Sequence, residues 1–196
     1  MFLAQLPASP SSPRVALWRR LRAAGAAGLL NGASVLPDTP DHLRFLEQSL
    51  EIVRRHGGSG FILPVSEPPS EVDTAIVGRF RADRGREYDE FTERCDAFLT
   101  EINKESGAGK FTFAELEESE QDLEKLVRWL AKIRKRDFFP DDQCLLAAGL
   151  IDRCRLALEV FSASVYEAED VQQAADAAAV HLPGGDRREG RDDASP

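Results

Sequence analysis

The chain contains 196 residues, of which 42% are hydrophobic and 30% are charged, and its formal net charge is −9. This length supports one large domain or two small ones, and the composition excludes a chain that is disordered throughout. Because no run of about 18 apolar residues occurs, no membrane-spanning helix is predicted, and the acidic balance excludes nonspecific nucleic-acid binding by the whole surface.

The first 68 residues alternate short apolar runs with helix signals. Residues 2–6 predict a strand, and Ser11-Ser12-Pro13 predicts a helix start because serine caps a helix and proline fits its first turn. Asn31-Gly32 predicts a hairpin turn, since both turn positions need a positive φ. A second helix is predicted to begin at Thr39-Pro40, and residues 61–65 predict a last strand.

This order of elements predicts an α+β chain with a ferredoxin-like (βαββαβ) N-terminal domain over residues 1–68. Its two helices would cover one face of an antiparallel sheet. The last strand carries apolar residues at the consecutive positions 61–63. We therefore expect another part of the chain to cover the opposite face.

Three later segments carry apolar residues at the helical intervals of three and four. These residues are Tyr88, Phe91, Cys95, Phe98 and Ile102; Leu116, Leu123, Leu126, Leu130 and Ile133; and Ile151, Cys154, Leu158, Phe161 and Val165. The pattern predicts a three-helix, mostly antiparallel helical bundle over residues 69–170. The periodicity fades near residue 170, and residues 171–196 are predicted to be a mostly disordered tail.

Two clusters of arginines provide the candidate binding residues. They are Arg14, Arg19, Arg20 and Arg22 in the first cluster, and Arg79, Arg81, Arg84 and Arg86 in the second. Guanidinium groups bind phosphates and other tetrahedral oxyanions through paired hydrogen bonds, so either cluster could bind an anion or DNA. The alternatives are a solvated basic helix face for the first cluster and an Arg79–Asp83 pair across one helical turn for the second.

The net charge differs along the chain. It is +2 for residues 1–68, −9 for residues 69–170 and −2 for residues 171–196. A polyanion would therefore have to meet a local arginine cluster. A third basic run, residues 132–136, ends a predicted helix, where cations complement the helix dipole without any ligand.

Neither a metal site nor a catalytic motif is predicted. No histidine lies between His56 and His181, so the carboxylates of the helical segments lack the histidine partner of a di-metal bundle. Cys95, Cys144 and Cys154 form no CxxC pair and lie on or near the apolar seams, which favours buried structural thiols. The odd cysteine count and an N-terminus without secretory features favour the cytoplasm. We expect a protein that is not an enzyme and uses no cofactor.

The order of these motifs resembles a known family. Residues 14–21 (RVALWRRL), followed by Gly25-Ala26, Gly32, residues 35–37 and Gly57-Gly58, are similar to the N-terminal domain of the ChrB chromate-resistance family. Further similarity at residues 87–88 and 136–137 extends the resemblance over roughly residues 1–165. The resemblance implies a cytoplasmic protein that is encoded with a chromate efflux transporter and takes part in chromate-dependent control of transcription.

The resemblance also implies partners. These are promoter DNA, chromate and a separate C-terminal partner protein, because longer family members carry a further C-terminal domain. The leading hypothesis is a chromate-responsive regulator that binds oxyanion or DNA through its arginines. The alternatives are an interaction module that docks on a C-terminal sensor protein and an enzyme that reduces an oxyanion. A free edge strand in the predicted sheet favours a homodimer, and no membrane partner is expected.

Overall fold

The computed structural model describes residues 1–180, and it describes side-chain surroundings for residues 1–175. The strands are β1 (Phe2–Gln5), β2 (Ala27–Leu30), β3 (Ala33–Val35) and β4 (Ser59–Ile62). The helices are α1 (Ser12–Ala23), α2 (Pro40–Arg55), α3 (Ser70–Gly107), α4 (Phe113–Lys135) and α5 (Asp142–Val180). The protein is a mixed α+β chain, as the sequence predicts, and most of its described residues are helical.

The four strands form one antiparallel sheet in the order β2-β3-β1-β4. The central strand β1 places Phe2 beside Ser34 of β3 and Ile62 of β4. At the predicted hairpin turn, Gly32 has a φ of +80°, and a Cβ there would lie 2.5 Å from the carbonyl oxygen of Ala4. Glycine is therefore required at this position, because it adopts positive φ without strain and leaves room for β1.

Strand β4 lies two to three residues earlier in the chain than the predicted strand at residues 61–65. It begins at Ser59 and ends at Ile62. Pro64 has no backbone N–H to donate, so a strand cannot continue through it as a regular ladder partner. Gly60 takes part in the pairing instead, and a Cβ there would lie only 2.4 Å from the carbonyl oxygen of Leu3.

Helices α1 and α2 pack on the sheet through one apolar core. Its buried residues are Phe2, Leu17, Leu21, Ala26, Leu36, Leu46, Leu50 and Val53. Helix α2 begins at the predicted cap, where the Thr39 hydroxyl accepts a hydrogen bond from the backbone N–H of His42 at 3.1 Å. Trp18 shares the predicted apolar face of α1 with Leu17 and Leu21, yet it is 56% exposed. Its ring therefore lies on the surface rather than in this core.

Helices α3, α4 and α5 pack against one another around a second apolar core. Of the fifteen seam residues named from the sequence, all are buried except Leu123 and Leu158, which are partly buried. Helix α3 begins at Ser70, so residues 79–86 lie within a helix of 38 residues. Helix α5 extends to Val180 and includes residues 171–180, which the sequence pattern places in the predicted tail. Residues 181–196 of that tail lie outside the described residues.

The loop between α4 and α5 joins the sheet part to the helical part. The ring of Phe138 lies 5.1 Å from the ring of His42 in α2 and 5.8 Å from the ring of Phe80 in α3, both in edge-on geometry. A Cβ on Gly25, at the end of α1, would lie 3.0 Å from the Phe138 ring. These contacts place α1, α2 and α3 around one aromatic side chain.

The sheet is only partly covered by the helical part. Helix α3 contacts β2, and Ala27 of that strand is 1% exposed. Leu30 and Phe61 nevertheless remain 79% and 66% exposed. The expected covering of the second sheet face is therefore incomplete, and apolar side chains stay at the surface.

Candidate functional site

The first arginine cluster lies along α1, where its members have different surroundings. Arg14 is exposed, and its Nη2 donates to the carbonyl oxygen of Ala8 at 2.9 Å. Arg19 is exposed, and the guanidinium of Arg22 lies 5.1 Å from the centre of the Trp18 ring. These three arginines present positive charge to solvent from one helix.

Arg20 differs from its neighbours because it packs onto α2. Its Nε donates to the Ser49 hydroxyl at 3.1 Å, its Nη2 donates to Gln48 Oε1 at 3.0 Å, and the guanidinium lies 4.7 Å from the centre of the Phe45 ring. Ser49 is fully buried and donates its own hydrogen bond to the carbonyl oxygen of Phe45 at 2.8 Å. Arg20 therefore holds two helices together, with two of its five N–H donors in internal hydrogen bonds.

The second arginine cluster is engaged mainly with carboxylates of its own helix. Asp83 pairs with Arg86 and lies 3.7 Å from Arg79 Nε. The Nε of Arg81 donates to the carbonyl oxygen of Phe139 at 3.4 Å. The predicted pairing of Arg79 with Asp83 is thus present, although the side chain of Arg79 remains 50% exposed.

Arg84 is a buried member of the second cluster and is 3% exposed. Its Nη1 lies 2.9 Å from Glu87 Oε1, and the other oxygen of Glu87 accepts a hydrogen bond from Arg136 Nη2 at 2.7 Å. Burial lowers the pKa of the Arg84 guanidinium, an effect that the nearby Glu87 carboxylate opposes. Arg84 and Arg136 therefore enclose one carboxylate where α3 meets the end of α4, and Arg84 is removed from any surface site.

An open groove of about 1640 Å³ lies beside the sheet. It is lined by residues of all four strands, by α1 and by one residue of α3. Its charged lining residues are Arg14 and Arg79, and among the described residues no aspartate or glutamate lines it. Trp18 and Phe61 are also among its lining residues, but the Phe61 side chain points to the sheet face opposite α1, because its partner Leu3 alternates with the core residue Phe2. The structure thus places one arginine from each predicted cluster along this groove.

Sequence reasoning misses these aromatic residues as members of a site. It assigns Trp18 to the apolar face of α1, and Phe61 to a buried strand. A signal is present for Trp18, because it lies four residues after Arg14 and four before Arg22, which places all three side chains on one side of a helix. No comparable signal exists for Phe61, whose exposure depends on whether another element covers its face of the sheet.

The cysteines support the structural interpretation. Cys95 and Cys154 are fully buried, on α3 and α5, and Cys144 is partly buried. A hydrogen bond with Cys154, assisted by burial, raises the pKa of the Cys95 thiol. A thiol with a raised pKa carries little thiolate and is a poor nucleophile. Among the side chains of residues 1–175, no group of three His, Cys, Asp or Glu could hold a metal ion.

The membrane prediction agrees with the helices of the structure. In the described part of the chain, no helix combines the length and apolar character needed to cross a bilayer.

Comparison with known proteins identifies the family. Residues 14–172 match the model described as "Protein ChrB, N-terminal". The chain belongs to the ChrB N-terminal family. It is 26% identical over 144 residues to the protein named Protein ChrB from Cupriavidus metallidurans, a match that covers 72% of this chain and 40% of that relative. No solved structure matches the chain. The match to the ChrB family contains every arginine of both clusters.

Proposed function

We propose that this chain is a chromate-responsive regulatory protein of a chromate-resistance operon, and that it binds DNA or the oxyanion through exposed arginines. The observation that carries this proposal is the match to the ChrB N-terminal family over residues 14–172. The exposed arginines support it because they supply positive charge in a protein whose net charge is −9. Guanidinium groups are suited to both ligands, since phosphodiesters and chromate offer oxygen acceptors to paired N–H donors.

The contacts of the eight candidate arginines separate those that are free to bind a ligand from those that support the fold. Arg14, Arg19, Arg22, Arg79, Arg81 and Arg86 are exposed and are proposed as the binding residues. Arg20 and Arg84 make internal contacts to α2 and to Glu87, and they are proposed to support the fold. This division separates a binding role from a structural role within each cluster.

The proposal is a binding protein rather than an enzyme, and the architecture is interpreted accordingly. We interpret the sheet with α1 and α2 as a ferredoxin-like domain, because its strand order and antiparallel pairing fit that arrangement. We interpret α3, α4 and α5 as a three-helix bundle. Strand β4 is at the edge of the sheet and is proposed to pair with a second copy in a cytoplasmic homodimer.

A gel-shift assay with the promoter of the neighbouring chromate-resistance genes, with and without chromate, tests the proposed function. We expect the shift to depend on chromate and to weaken when Arg14, Arg19 and Arg22 are replaced together by alanine. The logarithm of the binding constant should also depend less steeply on the logarithm of salt concentration, by about 0.9 for each phosphate that the variant no longer neutralises. The matched control is a triple replacement of the exposed Arg94, Arg128 and Arg155, which lie on α3, α4 and α5. Equal binding by both triple variants would contradict the proposal.

A second candidate function is an interaction module for a C-terminal partner protein. The chain spans 40% of the length of its ChrB relative, and the outer face of α5 exposes Leu145, Leu146, Leu156 and Val160 at 61–71%. Sedimentation velocity of a mixture with the remaining C-terminal portion of that relative, purified separately, would test the docking. The expected result is a complex that sediments as one species and that Leu156→Glu abolishes, and separate sedimentation of the two proteins would exclude this candidate.

A further inference from the structure

We propose that β4 pairs with β4 of a second copy in an antiparallel register centred on Phe61, which joins the two four-stranded sheets into one continuous sheet. This inference rests on the proposed function only for the expectation of a homodimer. It goes further because it assigns the register, the backbone groups that bond and the side chain at the two-fold axis.

The edge of the sheet at β4 is open to a further strand. The opposite edge strand, β2, is contacted by α3, and its pairing with β3 shifts register between Gly28 and Leu30. Covering elements and bulges are means by which proteins block pairing at an edge, as are charged side chains. β4 packs on α2 through the core face of the sheet, and residues 57–66 carry no charged side chain. The helices therefore cover β2, whereas neither a helix of the bundle nor a charge blocks β4.

The hydrogen bonds of β4 show which of its backbone groups face away from β1. The Leu63 N–H donates to the Met1 carbonyl oxygen at 2.8 Å, and the Met1 ammonium donates to the Leu63 carbonyl oxygen at 2.7 Å. Hydrogen-bonded and non-hydrogen-bonded pairs alternate along an antiparallel ladder. Gly60 and Ile62 therefore direct their N–H and C=O groups outward from the edge. Both residues are partly exposed, and within the described part of the chain no other group bonds to these backbone groups.

One register of the second copy pairs all of these groups. With the two-fold axis at Phe61, Gly60 of each copy faces Ile62 of the other, and each such pair exchanges two N–H···O bonds. A register centred on Ile62 would set Gly60 opposite Pro64, which has no N–H to donate. A register centred on Gly60 would set Ile62 opposite Gly58, whose N–H already donates to a carbonyl oxygen of α2 at 2.9 Å. The backbone groups therefore select the register centred on Phe61.

The side chain of Phe61 fits a position at the two-fold axis. It is 66% exposed and lies on the sheet face opposite α1, because its partner Leu3 alternates with the core residue Phe2. In this register the two Phe61 residues form a non-hydrogen-bonded pair, with Cα atoms about 4.5 Å apart. Aromatic pairs directly across two strands stabilise antiparallel pairing. Each copy thus covers the exposed ring of the other.

The same symmetry repeats the basic helix α1. Strands that continue a sheet across a two-fold axis keep their faces aligned, because the axis is perpendicular to the sheet. The α1 and α2 helices of both copies therefore lie on one side, and the two Phe61 rings lie on the other. The exposed Arg14, Arg19 and Arg22 of each copy are related by the axis. The dimer therefore presents two symmetric arginine surfaces.

Cysteine cross-linking of the full chain tests the register. Each variant also carries Cys144→Ser, because Cys144 is the native cysteine that is not fully buried. Phe61→Cys should form an intermolecular disulfide with oxidised glutathione, since Cα atoms about 4.5 Å apart lie within disulfide range. Ser59→Cys and Leu63→Cys should not cross-link alone, but they should cross-link to each other when mixed. The reason is that the register sets residue 59 opposite residue 63, and leaves the two copies of residue 59 about 13 Å apart.

Sedimentation velocity of the full chain tests the dimer itself. We expect the unsubstituted chain to sediment with twice the mass of one chain. Phe61→Lys should sediment as a monomer, because it sets two like charges directly opposite each other. The matched control is Leu30→Lys, since Leu30 lies in the same row of paired residues but at the β2 edge, and is 79% exposed. That variant should remain a dimer, and circular dichroism checks that both variants are folded.

Three outcomes would overturn the inference. A monomeric unsubstituted chain would leave the β4 edge to a different protein. Loss of the dimer in Leu30→Lys but not in Phe61→Lys would place the contact elsewhere, and self-cross-linking by Ser59→Cys instead of Phe61→Cys would exclude the register. The promoter assay judges the proposed function separately. A dimer with this register but no promoter shift would support the inference and contradict the proposed function, and a chromate-dependent shift by a monomeric chain would do the reverse.

Discussion

Arg84 and Arg86 show how the position of one residue on a helix decides its role. Both belong to the same basic stretch of α3, but Arg84 is 3% exposed, whereas the side chain of Arg86 is 63% exposed. Arg84→Ala should lower the free energy of unfolding by about 3 kcal/mol, because it opens a cavity and leaves the part-buried Glu87 with one cation instead of two. Urea denaturation followed by circular dichroism measures this change.

The exposed neighbour provides the control for that prediction. Arg86→Ala removes a surface ion pair with Asp83, and such pairs contribute about 0–1 kcal/mol. We expect Arg84→Ala to be clearly less stable than Arg86→Ala. If both variants lost a similar free energy of unfolding, the buried pairing of Glu87 with Arg84 would not contribute the expected stability.

Glu105 makes the stability of the protein depend on pH. It is 6% exposed near the end of α3, and burial, followed by a hydrogen bond with Glu115, raises its pKa above the ordinary value of 4.5. The neighbouring charges are Glu101, Glu115 and Lys110. Because the folded state binds this proton more tightly, the free energy of unfolding falls as pH rises from about 4.5 through the raised pKa.

Glu105→Gln, which cannot ionise, should therefore be more stable than the unsubstituted protein at pH 7. The difference should shrink towards pH 4, where the carboxyl is protonated in both states. Urea denaturation of both proteins at pH 7 and at pH 4 measures this difference in the free energy of unfolding. Glu93→Gln is the control, because Glu93 is an exposed carboxyl of the same helix and is not among the charges that face Glu105. A stability difference that is the same at both pH values would contradict the assignment.

At the scale of elements, the loop between α4 and α5 holds the two parts of the chain together. Arg136 binds Glu87, the Tyr88 hydroxyl donates to Asp137 at 2.9 Å, and Phe138 contacts Phe80 of α3 and His42 of α2. Polar residues of the loop therefore bind α3, and an aromatic residue reaches the core of the sheet part.

Phe138→Ala should reduce the free energy of unfolding by about 2–3 kcal/mol, because it removes a part-buried ring from the junction of α1, α2 and α3. Phe113→Ala is the matched control, since Phe113 is 46% exposed and contacts Tyr166 at the surface. We expect that control to lose less than about 1 kcal/mol. If both variants lost the same free energy of unfolding, the contacts of Phe138 at the junction would contribute no more stability than the contacts of a surface ring.

At the scale of the whole molecule, two hydrophobic cores are joined through this loop. One surrounds Phe2 and Val53, and the other surrounds Phe91 and Phe161. The chain has two tryptophans, Trp18 on α1 and Trp129 among the residues packed against the second core. Trp129 can therefore report on the second core, whereas the exposed Trp18 does not report on the first.

The Trp18→Phe variant, which keeps Trp129 as its single tryptophan, tests whether the cores unfold together. We expect Trp129 fluorescence, which follows the second core, and circular dichroism, which follows the helices of both parts, to give coinciding urea transitions, because the aromatic and ionic contacts of residues 136–139 couple the cores. Adding Phe138→Ala should separate the two probes. Separate transitions without that replacement would show that the loop does not couple the cores.

The sequence predicts most of the elements and the buried seams. Interactions between residues close in sequence determine these features, which is why they can be predicted. Examples are the cap at Thr39, the turn at Gly32 and the spacing of the apolar residues. The sequence does not distinguish Arg84 from Arg86, because both fit a basic helix equally well. It also places Trp18 in the core and misses Phe61, since exposure depends on which neighbouring element covers a residue.

The amino-acid sequence by itself determined the order of helices and strands, the two sets of core residues and the resemblance to the ChrB family. These properties follow from residue type and spacing along the chain. Only the tertiary structure decided which arginines face solvent, and that Arg14 and Arg79 line one groove. The reason is physical: burial and charge pairing depend on contacts between residues distant in sequence, and α3 must pack beside the sheet before that surface exists.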